Sequence, residues 1–375
     1  MKKIISTLLK IILFAMAVFL GFTYGMAIVG GIMNGEEGRN YVFAYLLEVA
    51  VALFLTCNLN VIVHEGGHLV FGLATGYRFS SFRIWSLMFI RQDGGIKLRK
   101  FKLAGTGGQC LMIPPKKGDT KASVILYNLG GVIFNLIFAL ICLVLYRTLP
   151  NVYILSKTLK WCAVFSLFFM ITNGIPLNVG GIANDGMNAL HLSKNKDAAE
   201  AFRKQLLANA AQTEGKRISE MPDEWFRLPE GADMQNVHCA SLAVFAASRH
   251  LDRGDIITAE QEISRLLSSN YNIIGLHRNL LTCDLISTRL INNPNADISS
   301  FLTPTFDKFV KSMKNYPSVI RTQYIIALLS ERDDSKAEEI LNSFDKLTAN
   351  FPYRQEIESE HSLMTKALEK TRNDT

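Results

Sequence analysis

His64-Glu65-Gly66-Gly67-His68 sets two imidazoles four residues apart with a carboxylate beside the first. On a helix, positions i and i+4 lie on one face, so both rings can bind a single zinc ion. Glu65 sits beside them, where it can take a proton from a metal-bound water. A catalytic zinc takes three protein ligands and keeps one position for water, so a third ligand must come from elsewhere. Asp185 is the candidate, near the end of Asn173-Gly174-Ile175-Pro176-Leu177-Asn178-Val179-Gly180-Gly181-Ile182-Ala183-Asn184-Asp185-Gly186, with His191 in reserve. The competing role for Asp185 is a cap on a helix near 186–193.

The setting sharpens the motif. The chain has 375 residues, 49% hydrophobic and 19% charged, and it divides into an apolar first half and an ordinary helical second half. Long apolar runs predict four transmembrane helices, at about 8–33, 46–75, 122–146 and 160–182. His64, Glu65 and His68 then fall inside the second span, where ionisable groups are costly unless they function or find partners. Counting back from Tyr77, His64 lies about 15–20 Å from the cytoplasmic surface. The fourth span enters from the other side. Asn173-Gly174-Ile175-Pro176 breaks it near mid-membrane, and an irregular stretch lining a protein cavity can hold Asp185 at the depth of the histidines.

The net charge is +7 and the pI near 9.0. The basic residues crowd between the second and third spans, from Arg78 to Lys121. The positive-inside rule therefore accounts for them without nucleic acid and predicts a multi-pass cell-membrane protein with both termini cytoplasmic. Lys2-Lys3 and the apolar run after them resemble a signal peptide, with Ala15-Met16-Ala17 like a cleavage site. The run continues to about Met33, which favours a retained helix, and Gly21 with Gly25 forms a small-residue packing pair. The six cysteines form no CxxC pair and suggest neither disulfides nor a thiolate metal site.

Two other regions have a legible pattern. Residues 78–118 read as a β segment: a strand over 82–90, turn chemistry at Gln92-Asp93-Gly94-Gly95, then an alternating apolar and basic strand, which together suit a membrane surface or a plain surface hairpin. Residues 191–375 form an all-α soluble domain, with helices at about 196–213, 236–252, 256–269, 273–291, 304–315, 317–330, 334–349 and 354–371. Leu251–Asp255 before Ala259-Glu260, and Glu331–Asp334 before Ala337-Glu338, look like tetratricopeptide-type hairpins; an irregular helical bundle fits equally.

The set resembles the site-2 protease family of membrane zinc metalloproteases. His64-Glu65-Gly66-Gly67-His68 is similar to its HExxH helix, Gly130-Gly131-Val132-Ile133-Phe134-Asn135 to its central core helix, and Asn173, Pro176 and Asp185-Gly186 to its NxxP…DG element. The resemblance covers about residues 41–190 and leaves 1–40 as an N-terminal helix with an outer loop. It implies a three-helix catalytic core, one zinc per chain on His64, His68 and Asp185, Glu65 as general base, and a membrane-embedded protein or peptide as substrate. It places Asn135 near the reacting carbonyl as an oxyanion donor; an interhelical hydrogen bond is the alternative. Pro176 and Asp185 are nine residues apart where the family has about five. Two other classes compete: a zinc or ion transporter, against which stand the absence of an internal repeat and the few spans, and a non-catalytic scaffold presenting the helical domain to a protein partner, against which stands the intact Glu65.

Overall fold

The computed structural model describes residues 36–101, 107–115, 121–149, 153–179, 182–349 and 351–373. The expected span at 8–33, with its glycine pair, lies outside them. Twelve helices, a four-stranded antiparallel sheet and a two-stranded ribbon make up the described chain. Contacts divide it into two units: the chain up to Phe71 with Leu126–Leu190, and Gly72–Ile125 with His191–Thr375. The β segment thus groups with the C-terminal helices.

The first unit contains α1 (Glu36–Ala74), most of α2 (Lys121–Thr148), α3 (Tyr153–Gly174), a ribbon of β5 (Asn178–Val179) and β6 (Ile182–Ala183), and the start of α4 (Asp185–Lys194). Its polarity is inverted. Thr56, Asn60, His64, Glu65, His68, Asn128, Asn135 and Ser166 are buried, while Leu47, Phe54 (68% exposed), Leu55, Leu140 and Val144 (59%) face outward. Glycines allow the helices to meet closely. A Cβ on Gly130 would fall 2.5 Å from the carbonyl oxygen of Gly67, so α1 and α2 cross backbone to backbone there.

Four spans are not supported. Among the described residues, one helix, α2, is long and apolar enough to cross a membrane. Helices do occupy the second and fourth expected spans. Helix α1 carries the His64-Glu65-Gly66-Gly67-His68 motif, and α3, 22 residues long, ends at Gly174. The helix ends there, at the Asn173-Gly174-Ile175-Pro176 break expected from the sequence.

In the second unit, β1 (Arg78–Ile84), β2 (Leu87–Gln92), β3 (Gly95–Lys100) and β4 (Gly108–Ile113) form a sheet of order β3-β2-β1-β4. The strand expected over 82–90 is two strands, because Trp85 takes a left-handed φ of 53° and turns the chain. Asp93 and Gly94, at φ 49° and 76°, close β2 onto β3 with the two positive φ angles that a tight hairpin favours. Leu87, Phe89, Ile96 and Leu98 are exposed on that hairpin, while Met88 and Ile90 are buried.

The helices of this unit are α5 (Lys196–Thr213), α6 (Val237–Asp252), α7 (Ile256–Ser268), α8 (Gly275–Asn292), α9 (Pro304–Ser312), α10 (Pro317–Ile325, continuing through a π-helical turn over Ile326–Ser330), α11 (Asp334–Thr348) and α12 (Arg354–Asn373). Asn195, Asn236, Asp255, Thr303 and Asp333 start five of them by accepting a backbone N–H with the side chain. Their apolar faces share one core that includes Leu281, Ile286, Val319, Ile325, Phe344 and Leu363. Gln92 donates to the Pro352 carbonyl at 2.8 Å, and Phe101 packs edge-on against Phe351 and Tyr353, tying this region to the segment that leads into α12.

Candidate metal centre

Helix α1 presents His64 and His68 on one face, as their spacing predicts, with their Nε2 atoms 3.3 Å apart. Asp185 Oδ2 lies 3.0 Å from His64 Nε2 and 3.4 Å from His68 Nε2. Ligand atoms on a tetrahedral zinc at ordinary bond lengths stand about 3.3–3.4 Å from one another. The three atoms therefore form one face of such a tetrahedron, and they are the metal-competent group found among the described residues. His191 is not part of it.

The outer ring nitrogens determine what the inner ones offer. His64 Nδ1 is 2.8 Å from Asn135 Oδ1, and His68 Nδ1 is 2.8 Å from the Tyr127 carbonyl oxygen. Both partners are acceptors, so each Nδ1 carries the proton and donates it. A neutral imidazole then has a bare lone pair at Nε2. With both rings neutral, two lone pairs and the buried Asp185 carboxylate converge with no donor among them. Three acceptors held this close repel one another unless a metal ion lies between them or one imidazole takes a second proton and pairs with Asp185. The residues present thus fit a divalent metal, with their orienting partners in place.

Asn135 is itself oriented. Its Nδ2 faces Ser166 Oγ at 3.3 Å and Asn60 Oδ1 at 3.4 Å, and Ser166 donates to Asn60 Oδ1 at 2.5 Å. Asn60, Asn135 and Ser166 are fully buried, one from each of α1, α2 and α3. With its amide N–H group turned toward this network, Asn135 presents its oxygen to His64. That geometry makes it the orienting partner of a histidine, and the interhelical hydrogen bond considered from the sequence is what it forms.

Glycine makes room for the rings. A Cβ on Gly131 would fall 2.7 Å from Cε1 and Nδ1 of His64 and from Nε2 of His68. Asp185 reaches the histidines through the ribbon. β5 pairs with β6 in the register Asn178↔Ala183 and Val179↔Ile182, so the residues that lengthen the Pro176–Asp185 interval run out and back. Asn184 fastens this return. Its Nδ2 donates to the carbonyls of Thr172 (2.7 Å) and Ile175 (2.6 Å), and its Oδ1 accepts from the backbone N–H of Leu177 and Met187, both at 3.0 Å. The bond from Met187 makes Asn184 the cap of α4, which leaves Asp185 free to face the histidines.

Glu65 is buried next to the two imidazoles in sequence. Three side chains converging in this way can hold a metal ion. Asn60, Ser166, Asn184 and the Tyr127 carbonyl were missed by sequence reasoning. For the first two, polar side chains within apolar helices were the available signal. No protein-family model, curated protein or solved structure matches the chain.

Proposed function

We infer that the chain is a membrane-embedded zinc endopeptidase that hydrolyses peptide bonds of membrane-inserted or membrane-associated substrates. The observation that carries this is the convergence of His64 Nε2, His68 Nε2 and Asp185 Oδ2 at tetrahedral separations, with both Nδ1 protons committed elsewhere. A zinc ion on these ligands would acidify a bound water and polarise a peptide carbonyl. Glu65 accepts the proton of the attacking water and passes it to the leaving amine nitrogen. Asn135 holds the His64 ring in its ligating tautomer through Oδ1, while Asn60 and Ser166 hold Asn135.

The inverted first unit supports the bilayer as its solvent. Buried polar side chains and outward leucines, valines and phenylalanines suit lipid as the surrounding solvent. The site-2 protease resemblance supports α1, α2 and the end of α3 as the catalytic core. It also supports a cell-membrane location with the termini, the sheet and the helical unit on the cytoplasmic side. The exposed apolar face of the β2–β3 hairpin, with its basic residues, suits contact with the lipid surface.

Metal analysis of the purified full chain tests the assignment. About one zinc per chain is expected, and His64→Ala or His68→Ala should remove most of it, since two ligands bind zinc poorly. Full occupancy in the double histidine variant would overturn the site.

A further inference from the structure

The helical unit holds a second constellation that the metal centre does not use. A cavity of about 400 Å³ is lined by β4, α5, α6, α8, the start of α10 and α12, and four carboxylates face it: Asp252, Asp284, Glu356 and Glu360. Their counter-charges are fewer. Asp252 is paired with Arg217 at 2.8 Å. Asp284 and Glu360 share one guanidinium, that of the fully buried Arg321, at 2.5 and 2.8 Å. Glu356 is hydrogen-bonded to Tyr316 and belongs to no ion pair among the described residues. Three deep carboxyl groups therefore share one cation.

The deep end also has open valences. Glu360 is 7% exposed, and its Oε2 stands beside Arg321 Nε without the alignment of a hydrogen bond. His277 lines the same cavity, and its buried Nδ1 has no hydrogen-bond partner. Burial, then the neighbouring Glu360, pushes Glu356 up to about 8; burial also pushes Glu360 up to about 7, against the pull of Arg321. Burial pushes His277 down to about 4, so it adds no positive charge at neutral pH. Phe101, Phe245, Tyr316 and Tyr353 supply aromatic faces around the acids.

We propose that this cavity binds an organic cation, an amine or guanidinium on a short apolar stem, with Glu356 and Glu360 as its counter-charges. The aromatic walls suit the stem and the charge together. A hard metal ion would meet the Arg321 guanidinium already lodged between the acids. The volume lies at the lower end of small-molecule sites, with room for one arginine or lysine residue and part of its neighbours. The cation can come from a bound peptide or from a free small amine. Binding displaces the protons that Glu356 and Glu360 otherwise retain, so affinity rises with pH. The other charged groups at the cavity do not reverse this sign. Asp252 and Asp284 are already matched by Arg217 and Arg321, and Lys216, exposed at the lining, stays cationic throughout.

Calorimetric titration of the full-length chain in detergent micelles tests the site, using agmatine, N-acetyl-arginine amide, a tetrapeptide with one arginine, and the citrulline counterparts of the last two. The arginine ligands should bind about tenfold or more tighter than their uncharged counterparts, and Glu356→Gln should remove about that factor. Tighter binding of the tetrapeptide than of agmatine assigns the cation to a peptide; tighter binding of agmatine assigns it to a small amine. The pH series needs no variant: affinity of the wild type should rise between pH 6 and 8.5, with protons released to buffer. Equal binding of arginine and citrulline ligands, no binding by any of them, or an affinity that falls with pH would overturn the proposal. None of these results depends on zinc or on peptide cleavage.

Discussion

Gly131→Ala probes the metal centre without touching a ligand. The added methyl carbon would sit 2.7 Å from His64 Cε1 and Nδ1 and 2.7 Å from His68 Nε2. Ordinary carbon contacts are about 3.5–4.0 Å, so the rings must retreat by about 1 Å. A metal site tolerates displacements of about 0.5 Å. His64 cannot swing freely, because Asn135 holds its Nδ1 at 2.8 Å, and the Tyr127 carbonyl holds His68 in the same way. Loss of ligand orientation typically costs about 10–100-fold in metal affinity, which is about 1.4–2.7 kcal/mol. The substitution also favours the helical backbone by about 1 kcal/mol, so the fold should survive while the metal is lost. Gly66→Ala is the matched control: it lies inside the motif on α1, yet a Cβ there meets nothing within 4 Å. Zinc competition against a graded chelator series, on both purified variants, is the assay. Wild-type affinity in Gly131→Ala, or an equal loss in Gly66→Ala, would refute the packing of the rings against α2.

Three further outcomes are expected. Asn135→Leu should weaken zinc binding by about tenfold or more, whereas Asn135→Asp, which keeps an acceptor for His64 Nδ1, should retain most of it; zinc titration of the pair reads the difference. Asn184→Ala should remove a helix cap, at about 1 kcal/mol of stability, and lower zinc occupancy although Asp185 remains, because the return of the chain to the histidines loses its fastening. In the helical unit, the folded state retains protons on Glu356 and Glu360 that the unfolded chain releases above the ordinary carboxylate range. Stability from these groups is complete in acid and falls as pH rises toward about 8, by at most about 1.4 kcal/mol per pH unit for each proton. Between pH 7 and 8 the downward-shifted His238 and His277 are neutral in the folded state and mostly neutral in the unfolded chain, so amide exchange of α12, corrected for intrinsic rates, should speed up over that interval and do so less in Glu356→Gln.

Much of the centre was legible because its chemistry is local. The i, i+4 spacing of His64 and His68 defines a helix face, and Pro176 fixes a break wherever the chain arrives. Asp185 was harder. Its nine-residue distance from Pro176 made it look displaced, and only the pairing of Asn178–Val179 with Ile182–Ala183 shows that the extra residues fold back on themselves. Ligand and cap were assigned to one residue as rivals, although Asn184, a favoured capping type directly before it, takes the second role. The Tyr127 carbonyl is a backbone group and leaves no trace in side-chain pattern. In the helical half, most boundaries followed from apolar periodicity and capping residues, as at α5 and α6. The acidic cavity did not, because Glu360 and Asp284 meet Arg321 from positions 39 and 37 residues away, a distance that no local pattern encodes. The single strand expected over 82–90 failed at Trp85, whose left-handed backbone is unusual for an aromatic residue.

Glu65 is proposed to move protons at a metal centre that cleaves peptides, and Glu65→Gln isolates that role. The substitution keeps the shape of the side chain and removes its basic carboxylate. Wild type and variant should be produced at equal levels, with zinc per chain and the inventory of membrane-retained and released peptides measured together. About one zinc is expected in both, with cleavage products lost from the variant by about a hundredfold or more and their uncleaved precursors accumulating in the membrane. Identical peptide inventories with zinc in place would contradict it.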